Sequence, residues 1–249
     1  MNAEQAAMQT ARLMQNAETK KNSRQERLAP FRNAARIQES FTAAVERKAL
    51  LWLAARMPAR VNSDHLTLLG FTAMFFAGAS YALARWNAAG LLLAIVFLAL
   101  NWFGDSLDGT LARVRNHQRP RYGFYVDHII DSVGAIFLMG GLVISGYLAW
   151  PIAAGMLAAF LLLSIESYLA AYTMGNFRMS FGKFGPTEIR ILLALGSLAL
   201  WLRPDARVPG LSWRVLDFGG AAAIGGMLIM FTVAAIFHTR RLYREETHR

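Results

Sequence analysis

The sequence predicts an all-α, polytopic membrane fold: six transmembrane helices preceded by an N-terminal interfacial amphipathic helix. Three observations predict it. Hydrophobic residues make up 55% of the 249, and mean hydropathy is +0.31, too apolar for an ordinary soluble domain. Six apolar stretches approach the ~20 residues needed to cross a hydrocarbon core. None alternates in the manner of a barrel strand, so the backbone must satisfy itself within helices.

The elements follow in order. Residues 1–60 are polar and form a cytoplasmic N-terminal segment without the apolar core or cleavage site of a secretory signal peptide. Residues 1–40, rich in Gln, Asn, Arg and Glu, suit either helix or loose chain. Phe41, Val45, Ala49, Trp52 and Leu53 recur at helical spacing, interrupted by Glu46, Arg47 and Lys48. This predicts an amphipathic helix over 41–57, lying in the headgroup plane or packing without special role. The spans fall at 66–84, 88–104, 126–149, 151–174, 189–202 and 218–237; the fifth is short and needs its flanks. Residues 61–240 therefore form the membrane domain and 241–249 a cytoplasmic tail.

Charge orients the bundle. Of 26 Lys and Arg, only Arg85, Arg203, Arg207 and Arg214 fall on one side of the predicted spans, and the other 22 fall on the opposite side. The positive-inside bias places the richer side, with both termini, in the cytoplasm at the cell's inner membrane. The net charge of +10 gathers beside apolar segments, which favours anionic lipid headgroups and phosphorylated substrates over nucleic acid. The absence of cysteine excludes a disulfide framework, a thiolate nucleophile and a zinc–thiolate site.

The chemistry concentrates in a few acids. Between residues 65 and 204 there are six: Asp105, Asp108, Asp127, Asp131, Glu166 and Glu188. Acids near a bilayer are costly and usually functional. Asp105 and Asp108 are spaced i, i+3 where the second span ends. Asp127 and Asp131 are spaced i, i+4 where the third begins, so each pair shares a helix face. A short loop joins the two helix ends, so all four carboxylates can meet. Packed together they repel, and hard divalent cations relieve that repulsion: Mg²⁺ or Mn²⁺, or Ca²⁺, rather than zinc. Two such ions form the usual clamp for displacement at phosphorus. Gly109 and Gly123 let a ligand approach the backbone, with Gly123 equally suited to a plain helix start; Ala112 leaves room, and Arg113 offers a planar fork to phosphate. Arg115, Arg119 and Arg121 add positive potential, chiefly as interfacial anchors.

The run Asp105-x2-Asp108-Gly109-x2-Ala112-Arg113-x9-Gly123-x3-Asp127-x3-Asp131 resembles the signature of the CDP-alcohol phosphotransferase (CDP-alcohol phosphatidyltransferase) family. That pattern usually has eight residues between the arginine and the second glycine; here there are nine, one extra loop residue. The resemblance implies that Asp105, Asp108 and Asp127 bind a two-metal centre, and that Asp131 is both ligand and general base. It further implies that Gly109, Ala112, Arg113 and Gly123 contact the CDP moiety. The family's Thr-Pro-Asn-x-Leu-Thr stretch is represented by Asn62-Ser63-Asp64-His65-Leu66-Thr67, in which Leu66 and Thr67 match. Ser63 and Asp64 suit helix capping instead.

The reading is a membrane transferase in phospholipid biosynthesis. It moves a phosphatidyl group from a CDP-linked donor, CDP-diacylglycerol foremost, to an alcohol or phospho-alcohol, releasing CMP. The acceptor itself is not legible, and a homodimer is left open. Arg119, Lys183, Glu188 and Arg190 are candidates for acceptor or phosphate contact; Pro186 and Glu188 also suit a plain helix start. Glu166 within the fourth span suits either a functional role or a hydrogen bond to Ser or Tyr on a facing helix. His65, His117 and His128 read as interfacial, and Gly219–Gly220 and Gly225–Gly226 as sites of close helix packing. The rivals are a Mg²⁺-dependent membrane prenyltransferase, whose two motifs lie farther apart, and a divalent-cation transporter, which wants polar groups at midplane.

Overall fold

The computed structural model describes residues 42–174, 185–205, 207–208, 210 and 212–247, and the backbone alone at 35–37 and 176–178. Among them are seven helices: α1 (Ala43–Arg56), α2 (Ser63–Leu83), α3 (Ala89–Val114), α4 (Pro120–Ser145), α5 (Trp150–Met174), α6 (Pro186–Leu202) and α7 (Val215–Thr247). Two three-residue strands, β1 (Ala35–Ile37) and β2 (Asn176–Arg178), pair in parallel with Arg36 opposite Phe177.

Local chemistry sets the helix ends. The Asn62 side chain accepts the His65 backbone N–H at 3.0 Å and the His65 ring accepts the Asn62 N–H at 3.4 Å, a reciprocal cap for α2. The cap is thus Asn62, not Ser63 or Asp64. Pro120 and Pro186 begin α4 and α6, where a missing N–H costs nothing. Gly146 closes α4 at φ +79°, a left-handed cap that glycine takes without strain. The helices run past the apolar stretches, because backbone hydrogen bonds continue through charged side chains. α3 therefore extends to Val114, and Asp105 and Asp108 sit on its last turns.

Helices α2, α3, α4, α5 and α7 are long and apolar enough to cross a membrane, with mean hydropathy of 1.6 to 2.1 over their central windows. The predicted fifth span is helical, but α6 has 17 residues, and at ~1.5 Å per residue it falls short of a ~30 Å core. Exposed Trp86 and Trp150 lie toward one end of the helices, and exposed Tyr122, Tyr125 and Tyr172 toward the other, as aromatic belts do. The chain is an integral membrane protein with an all-α body.

Helix α2 is the hub. It crosses α3 where a Cβ on Gly104 would lie 2.5 Å from the Gly70 nitrogen, and crosses α4 where a Cβ on Gly141 would lie 2.0 Å from the Gly78 oxygen. Tyr81, Leu91, Leu98 and Leu142 fill the core toward the aspartate-free end, where the Tyr81 hydroxyl meets Ser197 on α6 at 2.7 Å. The glycines singled out on α7 behave differently. Gly220 packs against Ile152 and Met156, but Gly219, Gly225 and Gly226 face open space, because α7 packs chiefly on α5 alone.

Helix α1 lies along α3, burying Leu50 and Ala54 against Leu66, Leu107 and Leu111. Of the apolar side expected from the sequence, Leu53 packs beside this cluster, whereas Val45 and Trp52 are exposed at 74% and 56%. The packed stripe is Glu46, Leu50 and Ala54, at i, i+4 and i+8, because the Glu46 carboxylate finds three donors on that side. Phe41 lies outside the described residues.

Candidate active site

Asn101, Asp105 and Asp108 stand at i, i+4 and i+7 on one face of α3. Opposite them α4 presents Asp127 and Asp131, and α2 supplies Thr67, Gly70, Phe71 and Met74; all line one cleft. The Gly70–Gly104 contact brings the α2 and α3 backbones together at this level, leaving the aspartates room to face α4.

Two of the carboxylates, those of Asp105 and Asp108, are held by neighbouring donors. Asp108 is buried; one oxygen accepts the Thr67 hydroxyl at 2.6 Å and the other the Gly109 N–H. Asp105 accepts the Arg190 guanidinium from α6 at 2.5 Å. The Arg190 Nε donates to Asn101 Oδ1 at 2.7 Å, and Asn101 Nδ2 donates to the Gly70 carbonyl at 2.9 Å. Asp127 is half-buried, and Asp131, one turn on, is exposed. The four share a cleft without closing on one point: among the described residues no three His, Asp or Glu groups stand close enough to share an ion. Asp105 and Asp108 have instead each taken a local donor. The donor set is oxygen-only and anionic, which suits a hard divalent cation.

A second cleft adjoins the first along α3. Asn62, Ser63, Asp64, Leu111, Ala112, Arg115, His117, Gln118 and Arg119 line it. Arg119 is paired with Asp64 there. Arg115 donates to the carbonyls of Met57, Pro58 and Val61, bolting down the α1–α2 connection. Arg113 is exposed and donates to the Thr110 hydroxyl at 3.0 Å. Gly109 is partly buried beside Asp108, and a Cβ on Gly123 would meet nothing within 4 Å.

Other expected groups sit elsewhere. Glu188 turns from the aspartates: one oxygen accepts the Thr42 N–H and hydroxyl at 3.0 and 2.7 Å, and the other the Gly185 N–H at 2.9 Å. Glu166 pairs with His238 on α7 at 2.5 Å, not with a serine or tyrosine. His128 packs edge-on to Tyr168, with ring centroids 4.5 Å apart. Lys183 lies outside the described residues.

Sequence reasoning gave no role to Asn101, Thr67, Glu46 or Thr187. Asn101 had a signal: a polar side chain in an apolar stretch, four residues before Asp105. Thr67 had the position matched in the family pattern. The other two act across helices, where spacing along the chain is silent.

Residues 61–238 match the model of a family described as CDP-alcohol phosphatidyltransferase. Archaetidylinositol phosphate synthase of Pyrococcus horikoshii is 28% identical over 113 residues, covering 45% of this chain and 53% of that protein. The chain thus spans about half the length of the relative it matches. The family match runs from just before α2 into the last third of α7 and takes in every aspartate of the cleft, and by it the chain belongs to the CDP-alcohol phosphatidyltransferase family.

Proposed function

We propose that the protein transfers a phosphatidyl group from CDP-diacylglycerol to the hydroxyl of a phosphorylated alcohol, releasing CMP. The observation that carries this reading is the gathering of Asp105, Asp108, Asp127 and Asp131 along one cleft at one end of the bundle, within the span of the family match.

The residues divide by role. Members of the family generally depend on a divalent metal, and the four aspartates would hold a pair of Mg²⁺ or Mn²⁺ ions. When bound, the metal neutralises the diphosphate and the charge on the leaving group. Thr67 and the Gly109 N–H fix the orientation of Asp108. The adjoining cleft beside Ala112 receives the cytidine end of the donor; Gly109 and Gly123 leave the backbone approachable there, and Arg113 meets phosphate. Asp131 takes the proton from the acceptor hydroxyl. The freed oxygen bonds to the lipid-bearing phosphorus, the bond from that phosphorus to the bridging oxygen breaks, and the electron pair leaves with CMP.

Arg190 is the acceptor contact. It is nearly enclosed, with 11% of its side chain exposed, and stands at the aspartate cleft. A guanidinium in that position suits an anionic acceptor. A relative named for an inositol phosphate product supports the same class. The basic asymmetry supports a cytoplasmic site.

The test is purified protein with CDP-diacylglycerol and Mg²⁺, supplied in turn with inositol phosphate, glycerol 3-phosphate, inositol and serine, with CMP as readout. CMP release should require a phosphorylated acceptor. Pyrophosphate release from a prenyl diphosphate, or metal flux in vesicles without CMP, would replace the reading with one of its rivals.

A further inference from the structure

We propose that Glu46 and Glu188 are positioning residues: two carboxylates that clamp the start of α6 to α1 and α3 and so hold Arg190 in register with Asp105. This rests on the transferase reading of the cleft and assigns to the N-terminal segment a part in acceptor binding.

The contacts form two parallel rows between α3 and α6. In the inner row Arg190 bridges Asn101 and Asp105. In the outer row a single oxygen of Glu46 accepts Trp102 Nε1 at 2.8 Å, the Ser106 hydroxyl at 3.2 Å and the Thr187 hydroxyl at 2.7 Å. Trp102 and Ser106 each follow a residue of the inner row by one position, and Thr187 precedes Arg190 by three. The outer row therefore reports the same helix register as the inner one. A slip of α6 by one residue is ~1.5 Å of rise and ~100° of rotation, which would break both rows together.

Glu188 makes the second tie, from α6 to Thr42 at the head of α1. The backbone pairing of Ala35–Ile37 with Asn176–Arg178 is a third, between the chain before α1 and the chain before α6. Both carboxylates are buried, Glu46 at 6% and Glu188 at 8% exposure. A buried carboxylate is tolerated only when its lone pairs are satisfied, so neither geometry is free to relax. Among the described residues the hydrogen bonds of Arg190 run to Asn101 and Asp105, and Asp105 belongs to the group that the reading assigns to metal. Once that carboxylate is engaged elsewhere, the outer row is what keeps the guanidinium at the cleft.

The test compares Glu46→Ala, Glu46→Gln, Glu188→Ala and Arg190→Ala by CMP release, varying inositol phosphate or glycerol 3-phosphate against CDP-diacylglycerol. A misplacement of about 1 Å costs on the order of 10²-fold. Glu46→Ala should raise the acceptor KM at least ~10-fold while moving the donor KM less than ~2-fold, and Glu46→Gln, which keeps an acceptor oxygen, should recover most of the loss. In the Arg190→Ala background Glu46→Ala should add less than ~2-fold. Multiplying effects in the double variant, or a wild-type acceptor KM in Glu46→Ala, would overturn the proposal. If Glu46→Ala does not purify folded, Thr187→Val and Thr42→Val carry the same comparison.

A second readout is independent of turnover. The chain has no cysteine, so spin labels at exposed Val114 and Ile189 report the α3–α6 distance directly. A narrow distribution should broaden in Glu46→Ala and Glu188→Ala; an unchanged one would overturn the clamp. A wild type that releases no CMP but shows that broadening would instead fault the transferase reading and leave the clamp standing.

Discussion

Gly141 on α4 rests against the carbonyl oxygen of Gly78 on α2, so close that a methyl group on Gly141 would lie 2.0 Å from it. Both partners are backbone, which cannot swing aside as a side chain can. Gly141→Ala and Gly78→Ala should each force the helices apart and destabilise the protein by about 1–3 kcal/mol, the usual cost of overpacking, or more. Gly225→Ala, where nothing lies within 4 Å, should be neutral or slightly stabilising. Thermal unfolding in detergent checks the contrast; equal behaviour of all three would mean the crossing is looser than described.

The aspartates should separate by role. Asp131→Asn keeps an oxygen but cannot take a proton, so turnover should fall by roughly 10²–10⁴ with little change in donor binding. Asp108→Asn should weaken metal binding, and added Mg²⁺ should partly restore it. Chelation should abolish CMP release from the wild-type protein. Titrating metal and donor against both variants decides the matter: rescue of Asp131→Asn by Mg²⁺, with none for Asp108→Asn, would reverse the assignment.

Topology is open to direct measurement. A reporter joined at Asn116, in the α3–α4 turn, should lie in the cytoplasm, and one at Trp150 outside. The motive is the 22-to-4 division of the 26 basic residues. An external Asn116 would remove the cleft from cytosolic nucleotide.

The Glu166–His238 pair is the main polar tie between α5 and α7, and Glu166 is buried. His238→Ala strands a buried carboxyl and should cost about 1–3 kcal/mol. Glu166→Gln keeps a hydrogen-bonding oxygen and should cost less. Unfolding of both variants, read alongside CMP release, should show lower stability with catalytic constants nearly unchanged.

What was legible in the sequence was what lies along one helix. Asp105 with Asp108, and Asp127 with Asp131, were placed by spacing, because helical periodicity fixes their faces. What was not legible depends on how helices meet. Nothing in the spacing of Gly70, Gly78, Gly104 and Gly141 distinguishes them from Gly225 and Gly226, yet the first four sit at crossings and the last two face open space. The same holds for Glu46. On its own helix it reads as an interruption of an apolar face, and only the donors of Trp102, Ser106 and Thr187 turn it into the packed side. Arg190 stood among the candidates, but its pairing with Asp105 spans 85 positions, beyond any local pattern.

The hub position of α2 also bears on how the molecule is made. Helices α2, α3 and α4 are consecutive in the chain, and both glycine crossings, all four aspartates and Thr67 lie between Ser63 and Ser145. Neighbours in sequence find one another soonest, and a nascent chain meets its N-terminal partners first. The acidic cleft can therefore assemble while α5 to α7 are still unmade, with its negative charges uncompensated by Arg190 until α6 follows. Synthesis order alone makes the arginine a late arrival at a site already built.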